Sequence, residues 1–142
     1  FLDTSFLFPL FARHDPDHQR VRQVMEAFRG KRMADQVLTT NQVVAETITL
    51  VRYKGSRQSK TAHALAAEVG SVLYAGTLAR IHWTTPEDER AAFEYFKRHA
   101  DQEYSMVDCL SFVVMEQNGI REALAVDSDF THRFAARPGP AR

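Results

Sequence analysis

Cysteine is nearly absent: Cys109 stands alone, so no disulfide can form within the chain and a reducing, cytoplasmic setting is expected. Neither sign of charge is in excess. Lys and Arg number 18, as do Asp and Glu, for a formal net charge of zero. A strongly basic footprint is thereby excluded, and any contact with nucleic acid must come from local patches. Long apolar runs are missing too, since no window approaches the roughly 18 residues that a membrane helix needs. The opening FLDTSFLFPLFARHD has an Asp at its third position and no cationic leader, which is unlike a signal peptide. It starts on Phe rather than Met, and reads as the natural chain taken up a few residues in.

What is present suits a globular protein. Of the 142 residues, 44% are hydrophobic and 25% charged, and a chain of this size buries roughly two-thirds of its unfolded surface. Residues 1–137 are expected to form one domain, with the Pro/Gly-rich 138–142 as a loose tail. Residues 1–3 read as the end of a strand, followed by a short apolar helix from Thr4 to about Arg13 that contains Pro9. Asp15-Pro16 reads as the cap and first turn of a second helix, which runs to about Gly30. Val37–Thr40 is a short strand. Thr40 caps a helix from Asn41 to Lys54, with Gly55 as its stop, and a further helix spans about Gln58 to Tyr74. Leu78–Trp83 is a strand candidate. Thr85-Pro86-Glu87-Asp88 is a strong helix start. Ser105 opens another helix that closes at Asn118-Gly119, and Ala123–Val126 is the last strand. Short apolar strands alternating with helices predict an α/β fold with a mostly parallel sheet.

Sheets of this class bind ligands beyond the carboxyl ends of their strands. Asp3 and Asp127 end strands, Asp108 lies in the first turn of a helix, and Glu46 lies one and a half turns into another. All four can converge on one rim. Asp108 is the most informative, because SMVDCLSFVVMEQNG is apolar on nearly every side over its first three turns. A carboxylate there is costly unless it caps, pairs or binds metal. Each acid has a plainer alternative: Asp108 as a Ser-x-x-Asp cap, Asp3 as an N-cap, Glu46 as a solvated side chain, Asp127 and Asp129 as turn residues.

In order and spacing, FLDTS, TTNQVVAE, YSMVDCLSFVVM and AVDSDF resemble the PIN-domain nucleases, and within them the VapC-type toxins of bacterial toxin–antitoxin pairs. The resemblance covers almost the whole chain and is most specific from Tyr104 to Phe130. It implies a PIN-like three-layer fold, with a central, mostly parallel sheet flanked by helices. It implies that Asp3, Glu46, Asp108 and Asp127 are the four acids of a ribonuclease site, with Asp129 sharing the claim of the fourth. Thr4 or Ser5 would supply the hydroxyl that steadies the first acid, and Ser105 the capping hydroxyl beside the third. It further implies hydrolysis leaving a 5′-phosphate and a 3′-hydroxyl, RNA as substrate, a small antitoxin as partner, and a homodimer.

Clustered carboxylates resist ionising together unless a cation neutralises them, and oxygen-only ligands suit Mg²⁺ or Mn²⁺ better than zinc. Asp3, Asp108 and Asp127 are the expected metal ligands, with Glu46 set to orient or deprotonate the attacking water. Two basic clusters, Lys54/Arg57/Lys60 and Arg121/Arg133/Arg137, are candidates for phosphate contact or simply solvated charge. Rival chemistry is poorly supported. Haloacid-dehalogenase-type phosphotransferases want an Asp where this chain has Ser5. His14 and His18 are separated by Asp15-Pro16, which breaks any shared helix face, and Cys109 has no base beside it. The remaining alternative is a catalytically inert PIN-like module that binds RNA or protein.

Overall fold

A computed structural model describes residues 1–56, 58–132 and 134–138; Arg57, Arg133 and most of the expected tail lie outside the described residues. Six helices and four strands alternate along the chain: α1 (Thr4–Phe11), α2 (His18–Glu26), β1 (Leu38–Thr40), α3 (Asn41–Lys54), α4 (Ser59–Tyr74), β2 (Arg80–His82), α5 (Pro86–Arg98), α6 (Met106–Gln117), β3 (Glu122–Ala125) and β4 (Ala135–Pro138). Single 3-10 turns occupy Met33–Asp35 and Asp129–His132.

The strands form two parallel pairs, β1 with β2 and β3 with β4, and the first three residues stitch them together. The Leu2 N–H donates to the Leu38 carbonyl at 2.8 Å, while the N–H groups of Leu124 and Asp3 bond to Phe1 and Leu124 carbonyls at 2.7 and 3.1 Å. Leu2 bridges Leu124 in parallel. The spatial order is therefore β2, β1, residues 1–3, β3, β4, every neighbour parallel and the whole flanked by helices. The opening residues are the middle of the sheet, which is why Phe1, Leu2 and Asp3 are all buried.

Local chemistry explains most helix boundaries. Thr40 caps α3 by accepting from the Val43 N–H, and basic Arg52 and Lys54 sit in its last turn, where they favour the negative end of the helix. In α6 every residue from Cys109 to Met115 is buried, as expected for a helix apolar all round. Phe112 lies at the centre of an aromatic cluster, edge-on to Tyr104 at 5.0 Å and to Phe130 at 5.1 Å. Phe130 is fully buried and anchors the loop that carries Asp127. Its replacement by Ala would cost about 3–5 kcal/mol of stability.

Several boundaries differ from the sequence reading. Asp15 does not cap α2; its Oδ1 accepts from the Asp17 N–H at 2.9 Å, so the Asp-Pro segment forms a turn and the helix starts at His18. Helix α2 ends at Glu26, short of Gly30, because tight turns from Ala27 onward replace the helical ladder. The strand ending before Asp127 is not the last, for β4 follows it. β4 straddles the point where the Pro/Gly-rich tail was expected to begin, with Pro138 closing a strand at the edge of the sheet among the described residues.

Candidate active site

Three chain segments leaving the carboxyl side of the sheet and the start of α6 meet at one cleft of about 490 Å³, whose lining includes Asp3, Thr4, Ser5, Glu46, Ser105, Asp108 and Asp127. Asp3 follows the central residues of the sheet and caps α1, its Oδ2 accepting the Ser5 N–H at 2.7 Å. Only 2% of its surface is exposed. Burial pushes its carboxyl up to about 7, and the charges of Asp127 and Asp108 add to the rise while hydrogen bonds from Ser5 temper it.

Asp127 follows β3. Burial, then the charges of Asp129 and Asp108, push its carboxyl up to about 6. Its Oδ1 is buried and has no hydrogen-bond partner among the described residues. Such an orphaned acceptor costs about 1–3 kcal/mol. Ser5 joins the two acids: it binds Asp3 through its backbone, and its hydroxyl accepts the Val126 N–H at 3.1 Å, immediately before Asp127.

Asp108 is both a cap and a cleft residue. The Ser105 hydroxyl accepts from the Asp108 N–H at 3.1 Å, and Asp108 Oδ2 accepts from the Ser105 N–H at 2.7 Å. This reciprocal box leaves the carboxylate at the cleft wall, close enough to raise both other aspartates. Glu46 reaches the same cleft from the second turn of α3 and is half-buried rather than solvated. The Thr4 hydroxyl donates to its Oε2 at 2.6 Å. Thr4 thus holds the glutamate and not the first acid, because α1 packs directly on α3. Asp129 lies in the 3-10 turn beyond Asp127 and is not part of the cleft lining.

Two acids that sequence reasoning passed over also line the cleft, Asp15 and Asp17. The Asp-Pro-Asp segment looked like a helix start, and only the contact of α2 with α1 reveals its position. His18 makes that contact, donating from Nδ1 to the Pro9 carbonyl at 2.7 Å and satisfying one of the orphan acceptors at the end of α1.

The donor set is all oxygen, and it suits a hard divalent cation. Among the described residues no group of three or more His, Cys, Asp or Glu side chains is placed to hold a metal ion, and Asp108 and Glu46 each give an oxygen to a neighbour. An open arrangement fits Mg²⁺, which takes one or two carboxylates and keeps its waters. A cation here would satisfy the orphaned Asp127 oxygen and offset the burial and the neighbouring charges that raise Asp3 and Asp127.

The sequence matches the PIN domain over residues 1–134. It is 32% identical over 131 residues to the 23S rRNA-specific endonuclease VapC20 of Mycobacterium tuberculosis, covering 92% of this chain and 91% of that protein. A VapC ribonuclease of Archaeoglobus fulgidus is 30% identical over 132 residues, covering 92% of this chain and 78% of the relative. The crystal structure of Mycobacterium tuberculosis VapC20, a sarcin–ricin loop cleaving toxin, superposes with a TM-score of 0.79 over 93% of this chain and 92% of that one. An acid-lined cleft at the rim of a parallel sheet, spanned by such matches, leaves one conclusion: the chain belongs to the PIN domain family, in its VapC branch.

Proposed function

We propose that this endoribonuclease is the toxin of a toxin–antitoxin pair and hydrolyses RNA phosphodiester bonds with Mg²⁺ held by Asp3, Asp108 and Asp127. The observation that carries the reading is the buried pair Asp3 and Asp127, one pushed up to about 7 and the other, at about 6, left with an unpartnered oxygen. One oxygen of Asp3 caps α1, but a cap does not require the second buried acid beside it, so the two call for another role. Ionised around a cation, they become ligands. Mn²⁺ has the same preference for oxygen donors and is expected to substitute.

When bound, the cation would neutralise phosphate charge and stabilise the leaving oxygen. The chain's own residues do the rest. Glu46 has one oxygen tethered by Thr4 and the other without a partner among the described residues, so it is set to orient the attacking water and accept its proton. Asp108, fixed by the Ser105 box, supplies a carboxylate whose rotamer is decided before substrate arrives. Ser5 sets the spacing between Asp3 and Asp127.

The named targets of the relatives indicate the first substrate to test, a 23S rRNA fragment containing the sarcin–ricin loop. Purified protein is expected to cut it with Mg²⁺ and not with EDTA, leaving 5′-phosphate ends. Equal cleavage in EDTA would sink the metal assignment, and no cleavage of any RNA would sink the activity. The antitoxin expected for this site is a small protein that fills the cleft with an Arg, since a guanidinium pairs with carboxylates. The toxin is further expected to be a homodimer, to be tested by light scattering.

A further inference from the structure

Every ionisable group named in the cleft is an acid, so the cleft repels the very phosphates it must receive, and attraction has to come from elsewhere. Trp83, the single tryptophan of the sequence, directly follows β2 and is 64% exposed. It stacks on Tyr74, itself 51% exposed, with centroids 6.2 Å apart and ring planes within 15°. Beside the pair runs a groove of about 490 Å³ that includes Arg80 and Arg32. Arg80 is exposed and has no ion pair among the described residues. Arg32 meets only Asp35, at 3.8 Å with both side chains exposed, a contact that solvent leaves weak.

The placement matters as much as the chemistry. β2 pairs with β1, and β1 is bonded to residues 1–3, so Trp83 and Asp3 leave the carboxyl ends of strands only two places apart. With strands about 4.8 Å apart those ends are separated by about 10 Å, and from Trp83 the groove runs back along β2 to Arg80 and Tyr74 at its amino end and to Arg32 ahead of β1. A flat aromatic surface flanked by guanidinium groups matches the two parts of a nucleotide, the base face and the phosphate.

We propose that Tyr74, Trp83, Arg80 and Arg32 form a stacking platform that holds single-stranded RNA along the outer side of β2, with Trp83 at the end nearer the cleft. The proposal rests on the ribonuclease reading above and names the surface that would present the substrate. Stacking carries little sequence preference, so the platform supplies grip while the cleft performs the chemistry.

Trp83 reports on its own surroundings, because no other tryptophan fluoresces in this sequence. Titrating the metal-stripped protein with a mixed-sequence oligoribonucleotide is expected to quench its emission saturably. In the presence of Mg²⁺, Trp83→Ala should raise KM about tenfold, with Trp83→Phe restoring most of the loss because it keeps a ring. Arg80→Gln should reduce the slope of log affinity against log salt by about 0.7. An unquenched tryptophan together with a wild-type KM for Trp83→Ala overturns the platform and leaves the ribonuclease intact. Quenching without any metal-dependent cleavage keeps the platform and removes the ribonuclease. A change in oligomeric mass in Trp83→Ala at unaltered KM makes the open edge of β2 a protein contact, which also overturns the proposal.

Discussion

Helices α5 and α6 begin with the same device and stand in opposite electrostatic surroundings. Each has a hydroxyl at its N-cap and an Asp three residues on, Thr85–Asp88 and Ser105–Asp108, and each forms the reciprocal capping box. The two helices pack against each other. Burial alone would raise Asp88, but hydrogen bonds from His82, the Thr85 N–H and Gln117 together outweigh it and hold the carboxyl at about 2. His82 Nε2 lies 2.9 Å from Asp88 Oδ2. Asp108 has no imidazole beside it among the described residues; its charge falls instead on Asp3 and Asp127 and raises both. One box closes a helix, while the other also stores repulsion that a bound cation can release. The motif is the same, and its neighbours decide its use.

Exchanging the two aspartates for asparagine breaks this comparison most sharply, since Asn still offers a capping oxygen. Asp108→Asn is expected to reduce RNA cleavage by about a hundredfold to a thousandfold with little change in melting temperature. Asp88→Asn should leave cleavage near wild type and cost about 2 kcal/mol of stability, measured by denaturant unfolding. Equal effects of the two on cleavage would mean that the α6 box is only a cap.

Next in size is the dependence on pH. Asp3 and Asp127 titrate above the ordinary carboxylate range, so between about pH 4 and about pH 7 the folded state binds more protons than the unfolded. Their effect is to lower the stability of metal-free protein as pH rises through that window. Asp88 has the opposite sign: its contribution is full above about pH 4 and is lost as pH falls toward about 2. Thermal melts of metal-free wild type and Asp3→Asn should diverge from about pH 4 to about pH 7, with the wild type losing more. Added Mg²⁺ should abolish the difference between those pH values. Parallel curves would show that Asp3 ionises normally.

Smaller effects test the supports. Thr4→Val keeps the shape of the buried side chain but releases Glu46, and a loss of about tenfold in cleavage is expected, with Thr4→Ser recovering most of it. Smallest of all, Asp129→Asn should change cleavage by only about twofold to threefold, through the charge it removes beside Asp127. A larger loss than that of Asp127→Asn would reverse the order of those two acids.

Much of this was readable beforehand where local chemistry decides the outcome. Thr40 with Gly55, Thr85 with Pro86, and Ser105 with Asn118-Gly119 mark helix ends because caps satisfy orphan backbone groups within a few residues. The four acids could be nominated from their order and their position after strands. What was hidden depends on contacts distant in sequence. β4 takes its register from β3 and was masked by Pro138. Asp15 and Asp17 reach the cleft only because His18 ties α2 to α1. The sequence leaves Thr4 and Ser5 both open as the hydroxyl beside the first acid, since nothing in it shows that Glu46, 42 positions on, lies within hydrogen-bond reach of Thr4. The His82–Asp88 pair likewise joins a strand to a helix start across a loop with no periodic signal.

The position of residues 1–3 in the middle of the sheet has a consequence for synthesis. The Leu124 N–H bonds to the carbonyl of Phe1 at 2.7 Å and Leu2 bridges Leu124, so the middle of the sheet closes only after β3 has been made. Contacts of that span form late and slowly. A chain still being translated therefore holds Asp3 and Glu46 but lacks the partner strand that presents Asp127, and it has no nuclease cleft. A complete set of cleft acids exists only once translation has passed β3 and delivered Asp127. Ribosome-bound chains stalled before residue 122 should be readily cut by protease and inert toward RNA, whereas chains released after residue 138 should resist protease and cleave.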